Sequence, residues 1–261
     1  MKGNAMGVLD RFRLDGRIAL VTGGSKGLGA AMAYALAEAG ADVATVSRHF
    51  DECQAAATEI ASATGREILP VRADVAKPEE VRAMVKTVHR RFGRIDILIN
   101  NAGAVSRCTT TELPLAEWQA LVDVNLTGPF LCAQAVLPGM VAQRHGRIIN
   151  VSSTFGLVGF PGRSPYTATK GGLLNMTRTW ALEFAKDGIT VNAICPGPFD
   201  TPMFSGVKRN PTLLETFLER VPMGRLGDPE ELGAVAVFLA SDAASYVTGS
   251  AVVVDGGWTA Q

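Results

Sequence analysis

The sequence has few of the residues on which two large groups of enzymes depend. Its three histidines, His49, His89 and His145, lie far apart, and its four cysteines, Cys53, Cys108, Cys132 and Cys195, form no CxxC or other metal-ligand spacing. This scatter indicates neither a metal centre nor a Ser-His-Asp triad. Four thiols without a disulfide framework are expected to stay reduced, which suits a cytoplasmic protein. Net charge is zero, with 25 basic against 25 acidic residues, so no electrostatic footprint for nucleic acid or an anionic membrane is expected. No apolar run approaches the expected length of a membrane span, and "MKGNAMGVLDRFRLDGR" carries no apolar stretch or cleavage site for export. Residues 1–13 are expected to be a flexible lead-in.

What the chain does have is apolar content, at 47% of residues, arranged in alternating segments. "RIALVTG", "DVATVS", "EILPVRAD", "IDILINNAG", "GRIINVSS", "ITVNAICPG" and "SAVVVDGG" are short β-rich runs without polar alternation, as in strands buried on both faces. Helix-forming stretches separate them, at about 28–40, 51–63, 78–92, 114–143, 165–186 and 228–240. Repeated βαβ units with right-handed crossovers predict an α/β fold: a single doubly wound parallel sheet of Rossmann type, with helices on both faces. No linker or repeat divides residues 14–261, which are expected to form one domain. The irregular insertion at about 198–227 follows a strand's carboxyl end, where it could cover a substrate as a lid.

"VTGGSKGLGAAM" lies where the first strand turns into the first helix. Its glycines at 23, 27 and 29 permit close backbone approach, and a helix N-terminus favours a diphosphate. Such a turn also serves simply to pack a strand against a helix. At the end of the second strand stand Ser47 and Arg48, where NAD-binding sites usually place a carboxylate for the ribose hydroxyls. Serine does not repel a phosphate, Arg48 could clamp one through its planar fork, and Lys26 adds a second cation. Together they favour NADP(H) over NAD(H), although either cation alone would read as a solvated surface charge.

In "SPYTATKGG", Tyr166 and Lys170 are spaced i,i+4 and share a helix face. Alone that spacing decides nothing. With "TGGSKGLG" at 22–29, "NNAG" at 100–103, "NVSS" at 150–153 and "PGPFDT" at 196–201, it falls into an ordered series. In that series the chain resembles the short-chain dehydrogenase/reductase family in its classical form, over residues 17–257. The resemblance implies an oxidoreductase with Tyr166 as general acid/base, Lys170 and Ser153 beside it, and Asn125 completing a catalytic tetrad. It implies cofactor contacts from Gly23, Ser25, Lys26, Gly27, Leu28, Gly29, Ser47, Arg48, Asp74, Val75, Asn101, Ala102 and Gly103. Near the nicotinamide it implies Tyr166, Lys170, Pro196, Gly197, Phe199 and Thr201. Similar proteins are homotetramers, or sometimes dimers.

The chemistry fits these residue types. Tyrosine, with a free pKa near 10, is poorly matched to neutral pH, and a cation one helical turn away favours its ionised form. Ser153 could donate to a developing alkoxide, or merely cap a strand end. Pro129 cannot donate an i→i−4 bond to the carbonyl of Asn125, which could leave that oxygen for a water in a proton relay. Thr154, Phe155, Phe160, Met203 and Phe204 could present apolar surface to a small-molecule ketone, or could simply pack the lid. The expected function is interconversion of a ketone and a secondary alcohol. A 3-oxoacyl-[acyl-carrier-protein] reductase, which a basic surface at the mouth would support with Arg107, Lys208 and Arg209 as candidates, and a sugar or polyol dehydrogenase are alternatives. A cofactor-binding scaffold without turnover has no need of Tyr166 and Lys170 together.

Overall fold

The computed structural model describes residues 7–260, so residues 1–6 of the expected lead-in and Gln261 lie outside the described residues. Seven strands form one parallel sheet: β1 (Ile18–Thr22), β2 (Asp42–Ser47), β3 (Ile68–Arg72), β4 (Ile97–Asn100), β5 (Gly146–Val151), β6 (Ile189–Pro196) and β7 (Ala251–Val254). Their order is β3-β2-β1-β4-β5-β6-β7. Every residue of β1, β4, β5 and β6 is buried, which is why those runs are mostly apolar, with Thr22, Asn100, Arg147, Asn150, Thr190 and Asn192 as their buried polar members.

The helices are α1 (Gly27–Glu38), α2 (Phe50–Thr64), α3 (Pro78–Phe92), α4 (Leu115–Val122), α5 (Gly128–Ala142), α6 (Ser164–Phe184), α7 (Ser205–Lys208), α8 (Pro211–Leu218) and α9 (Pro229–Ala240). Two cores result, one on each sheet face. Val81, Met84, Val85 and Val88 of α3 pack with Val136, Leu137 and Met140 of α5 on one face. Met32, Ala33 and Leu36 of α1 pack with Leu232, Ala236 and Leu239 of α9 on the other. The fold is the doubly wound α/β sheet that the strand–helix alternation implies.

Leu9–Phe12 form a short 3-10 helix, with the Phe12 ring 6.2 Å from that of Phe238. α4 and α5 are joined through a π-helical turn, Asp123–Thr127, in which the N–H of Gly128 reaches back five residues to the Asp123 carbonyl. The resulting helical run, Leu115–Ala142, is long and apolar enough by length and composition to cross a membrane, contrary to the expectation that no run approaches that length. Core helices pass the same test, and the α5 part of this run lies against β4 and β5.

Residues 198–227 are not irregular throughout. They hold a 3-10 turn (Pro202–Phe204), α7 and α8, the last capped by the Asn210 side chain accepting from Leu213 N–H. Backbone bonds close the base of this segment: Gly227 N–H donates to Pro198 O (3.0 Å), and Asp200 N–H to Gly227 O (2.9 Å).

Candidate active site

The sheet reverses its winding between β1 and β4, and the carboxyl ends of the central strands open into a cleft. Gly23 to Gly29 line one end of the cofactor path. Backbone there is packed so closely that a Cβ on Gly29 would stand 2.1 Å from the Gly23 carbonyl oxygen. Gly23 and Gly27 have φ of +64° and +56°, values that favour glycine. Asn101 locks this turn, its Nδ2 donating to the carbonyls of Thr22 (3.0 Å) and Gly23 (3.1 Å). The Thr22 hydroxyl accepts from the N–H groups of Asn101 and Ala102. The "NNAG" segment therefore secures the glycine turn as well as bordering the cleft.

Farther along, Ser47 ends β2, and its hydroxyl accepts from His49 N–H at 3.2 Å. Arg48 is exposed and, among the described residues, has no carboxylate within ion-pair distance, whereas Lys26 pairs with Glu52 at 3.0 Å. Sequence reasoning treated Lys26 as a free cation and missed that pairing, which joins α1 to α2. Asp74, two residues beyond β3, accepts from Ala76 N–H through Oδ1 (3.0 Å). Val75 sits against Gly128, where a Cβ would approach its side chain to 2.9 Å. These groups fit a nicotinamide dinucleotide: a glycine cradle at a helix N-terminus, with no acid at the end of β2.

At the other end, the structure brings Ser153, Tyr166 and Lys170 to one wall. Ser153 follows β5, and its hydroxyl oxygen accepts from Phe155 N–H (3.1 Å), so it caps the 3-10 turn Thr154–Gly156. Ser153 and Tyr166 both line the cleft, and the serine hydroxyl acts to lower the tyrosine pKa. Capping and this influence on the tyrosine coexist. Lys170 is 4% exposed; its Nζ donates to Val151 O (2.7 Å) and lies 5.7 Å from the Tyr166 ring centroid. Burial lowers the Lys170 pKa to about 8.

Burial raises the Tyr166 pKa, against the Ser153 hydroxyl and the positive charge of Arg163, which lower it. Arg163 is thus a cation acting on the phenol that sequence reasoning missed. Its position three residues before Tyr166, at the start of α6, was the available signal.

Asn125 lies in the π-helical turn and is fully buried. Its Oδ1 accepts from Ala104 N–H (2.8 Å), while Nδ2 donates to Ala104 O (2.9 Å) and to the Thr169 hydroxyl (3.3 Å). The side chain therefore ties the segment after β4 to α6. Pro129 has no N–H for the Asn125 carbonyl, and the π turn is where the helix accommodates it.

The cleft encloses about 970 Å³, part of it open to solvent, and its lining includes Leu28, Asn101, Gly103, Pro196, Gly197, Phe199 and Thr201. Ser153, Thr154, Phe155, Met203 and Phe204 also face it. Phe160 does not; it stacks behind Phe155 (4.8 Å between centroids) and on Phe217 (5.6 Å). Trp258 and Phe217, neither singled out from sequence, complete this aromatic wall with centroids 5.7 Å apart. They come from the chain's end and from α8, a proximity that no local spacing reveals.

The family model described as enoyl-(acyl carrier protein) reductase matches residues 23–259. A 3-oxoacyl-[acyl-carrier-protein] reductase FabG of Thermotoga maritima is 39% identical over 246 residues, covering 94% of this chain and 99% of that protein. A solved short-chain type dehydrogenase/reductase from Mycobacterium marinum is 41% identical, with TM-score 0.93, covering 98% of this chain and 100% of the other. A gluconate 5-dehydrogenase from Burkholderia cenocepacia, solved with NADP and tartrate, is 38% identical, with TM-score 0.94 and the same coverage.

Proposed function

This chain belongs to the short-chain dehydrogenase/reductase family, oxidoreductases acting on CH–OH and C=O groups, and from that premise we propose that it is an NADP(H)-dependent enzyme interconverting a ketone and a secondary alcohol. The observation that carries this reading is the grouping of Ser153, Tyr166 and Lys170 on one wall of the cleft. The nicotinamide supplies or accepts the hydride. Tyr166 gives the proton to the carbonyl oxygen during reduction and takes it back during oxidation. Ser153, its oxygen already accepting from Phe155 N–H, has its O–H available to donate to the same oxygen as negative charge develops. Lys170 holds a proton behind Tyr166, and Asn125 keeps the Ala104 backbone and α6 in register around both.

Arg48 is the group we assign to the cofactor's 2′-phosphate, with Lys26 joining it when its pair with Glu52 rearranges. Residues 198–227 act as a lid hinged where Phe199 bridges Gly227. Exposed Leu182 on α6, Leu115 on α4, and Tyr246 and Val253 at and before β7 support assembly into a homotetramer through those elements. The four free thiols suit work in the cytoplasm.

A second reading, reduction of 3-oxoacyl groups on an acyl carrier protein, is favoured by the names of the curated relatives. Against it, the expected basic mouth is reduced: Lys208 is held by Asp200 at 2.7 Å, leaving Arg107 and Arg209. Ketones, sugars and an acetoacetyl thioester, each assayed with NADPH and NADH, decide between the readings. The proposal expects NADPH to be preferred, and preference for NADH would overturn the role of Arg48.

A further inference from the structure

The cleft is lined by three cations, Arg107, Arg163 and Lys170, and by no aspartate or glutamate. Lys170 is accounted for by its bond to Val151 O. Arg163 is not. It is 8% exposed, yet among the described residues no carboxylate lies within ion-pair distance of it, and its hydrogen-bond partner is a backbone oxygen, Nη1 to Ser106 O at 2.7 Å. A guanidinium has five N–H donors, and one carbonyl satisfies few of them on a side chain that lines the cleft.

Burying an unpaired charge is costly, so such groups normally have a carboxylate or a metal-bound partner. Here the neighbourhood is adverse: burial and the charge of Arg107 both depress the Arg163 pKa, opposed by Tyr166. Tyr166 does not serve as a standing anion, because burial raises its own pKa. The position is nevertheless built. Gly162, at φ +69°, turns the chain into α6, and the Arg163 carbonyl accepts the first helical bond from Thr167 N–H. Arg107 stands at the outer edge, its Nη1 3.2 Å from the point a Cβ on Gly206 of α7 would occupy.

We propose that Arg163, with Arg107 at the mouth, forms a carboxylate-binding subsite, and that the substrate is a ketone or secondary alcohol that also bears a carboxylate. This rests on the oxidoreductase reading and narrows it. The carboxylate completes the charge that the fold leaves open and fixes which end of the substrate faces Tyr166. The aromatic wall of Phe155, Phe217 and Trp258 covers the carbon skeleton. A thioester presents no charge at this depth, so the subsite argues for a free acid over a carrier-bound acyl chain.

The test pairs each acid with its methyl ester: acetoacetate, levulinate and benzoylformate, reduced with NADPH by the wild type and by Arg163→Met, Arg163→Lys and Arg107→Met. A charge-assisted pair in a dry site predicts roughly a 30- to 100-fold advantage in kcat/KM for at least one acid over its ester. Arg163→Met should bring that ratio to about one, Arg163→Lys should keep part of it, and Arg107→Met should lower it by about threefold. Binding is read independently of turnover, by tryptophan fluorescence of the NADP-loaded protein titrated with benzoate and with benzamide. Benzoate should bind the wild type more tightly and lose that advantage in Arg163→Met. Equal rates for acids and esters, an acetoacetyl thioester preferred over every acid, or a ratio unmoved by both Arg163 variants overturns the subsite. If no ketone is reduced, the oxidoreductase reading has failed, and the benzoate titration still decides the subsite. Should Arg163→Met fail to fold, the wild-type ratio and Arg163→Lys decide it.

Discussion

The two ends of the cleft are built on different principles. At the cofactor end, backbone lies against backbone: Gly29 leaves room for no side chain, and Asn101 pins the turn through two carbonyls of adjacent residues. At the substrate end, side chains from distant segments meet. Phe155 follows β5, Phe204 and Phe217 belong to the segment after β6, and Trp258 follows β7. The first arrangement tolerates almost no change and serves any dinucleotide. The second can be repacked ring by ring, so it is where members of one family can diverge in substrate.

Glycine substitutions give the largest contrast. Gly29→Ala forces a Cβ to 2.1 Å from a backbone oxygen and should destabilise the protein by about 3 kcal/mol, with loss of cofactor binding. At Gly159, exposed beside the aromatic wall, a Cβ meets nothing within 4 Å, and alanine should change stability by less than about 0.5 kcal/mol. Thermal melts with and without NADP measure both, and equal losses would erase the comparison.

Lys170 joins the two ends, and its effect should appear with pH. Its pKa is lowered to about 8, so the group is protonated below that value and loses its proton above it. Reduction, which consumes a proton, should therefore fall in kcat/KM as pH rises through about 8. Lys170→Arg keeps its charge at these pH values and should move that limb upward or abolish it. The same shift has a stability consequence. Between about 8 and the ordinary lysine range the unfolded chain binds more protons than the folded one, so this group's contribution to stability rises with pH there.

The smallest expected effect is at the far edge of the cofactor end, where Arg48 is exposed. Arg48→Ala should weaken NADPH by roughly tenfold while leaving NADH nearly unchanged, as expected for one solvent-screened phosphate contact. Parallel losses for both cofactors would remove Arg48 from phosphate recognition.

The same contrast explains what the sequence revealed. The sheet was legible because strands buried on both faces are predominantly apolar without strict alternation, and the glycine turn because its glycines are required by local backbone geometry. Ser153, Tyr166 and Lys170 could be picked out only because their motifs fall, with the others, into the ordered series that resembles the family. Phe217 and Trp258 could not, since they are 41 residues apart in the chain and meet only after residues 198–227 fold back. Arg163 was within sight, three residues before Tyr166, but nothing in sequence says whether an arginine is solvated or buried. The pairing of Lys26 was missed for a related reason: its partner Glu52 lies on the next helix, beyond any helical spacing.

The central claim is that proton transfer by Tyr166 is separable from cofactor binding at the glycine turn. Tyr166→Phe removes one hydroxyl and leaves the ring against Phe155, 6.4 Å between centroids. Turnover and NADPH affinity measured on this one variant test the claim most directly. The account predicts a fall in kcat of at least about 1,000-fold with NADPH affinity within about threefold of wild type. Turnover near the wild-type rate, with the variant folded and the cofactor bound, would contradict it.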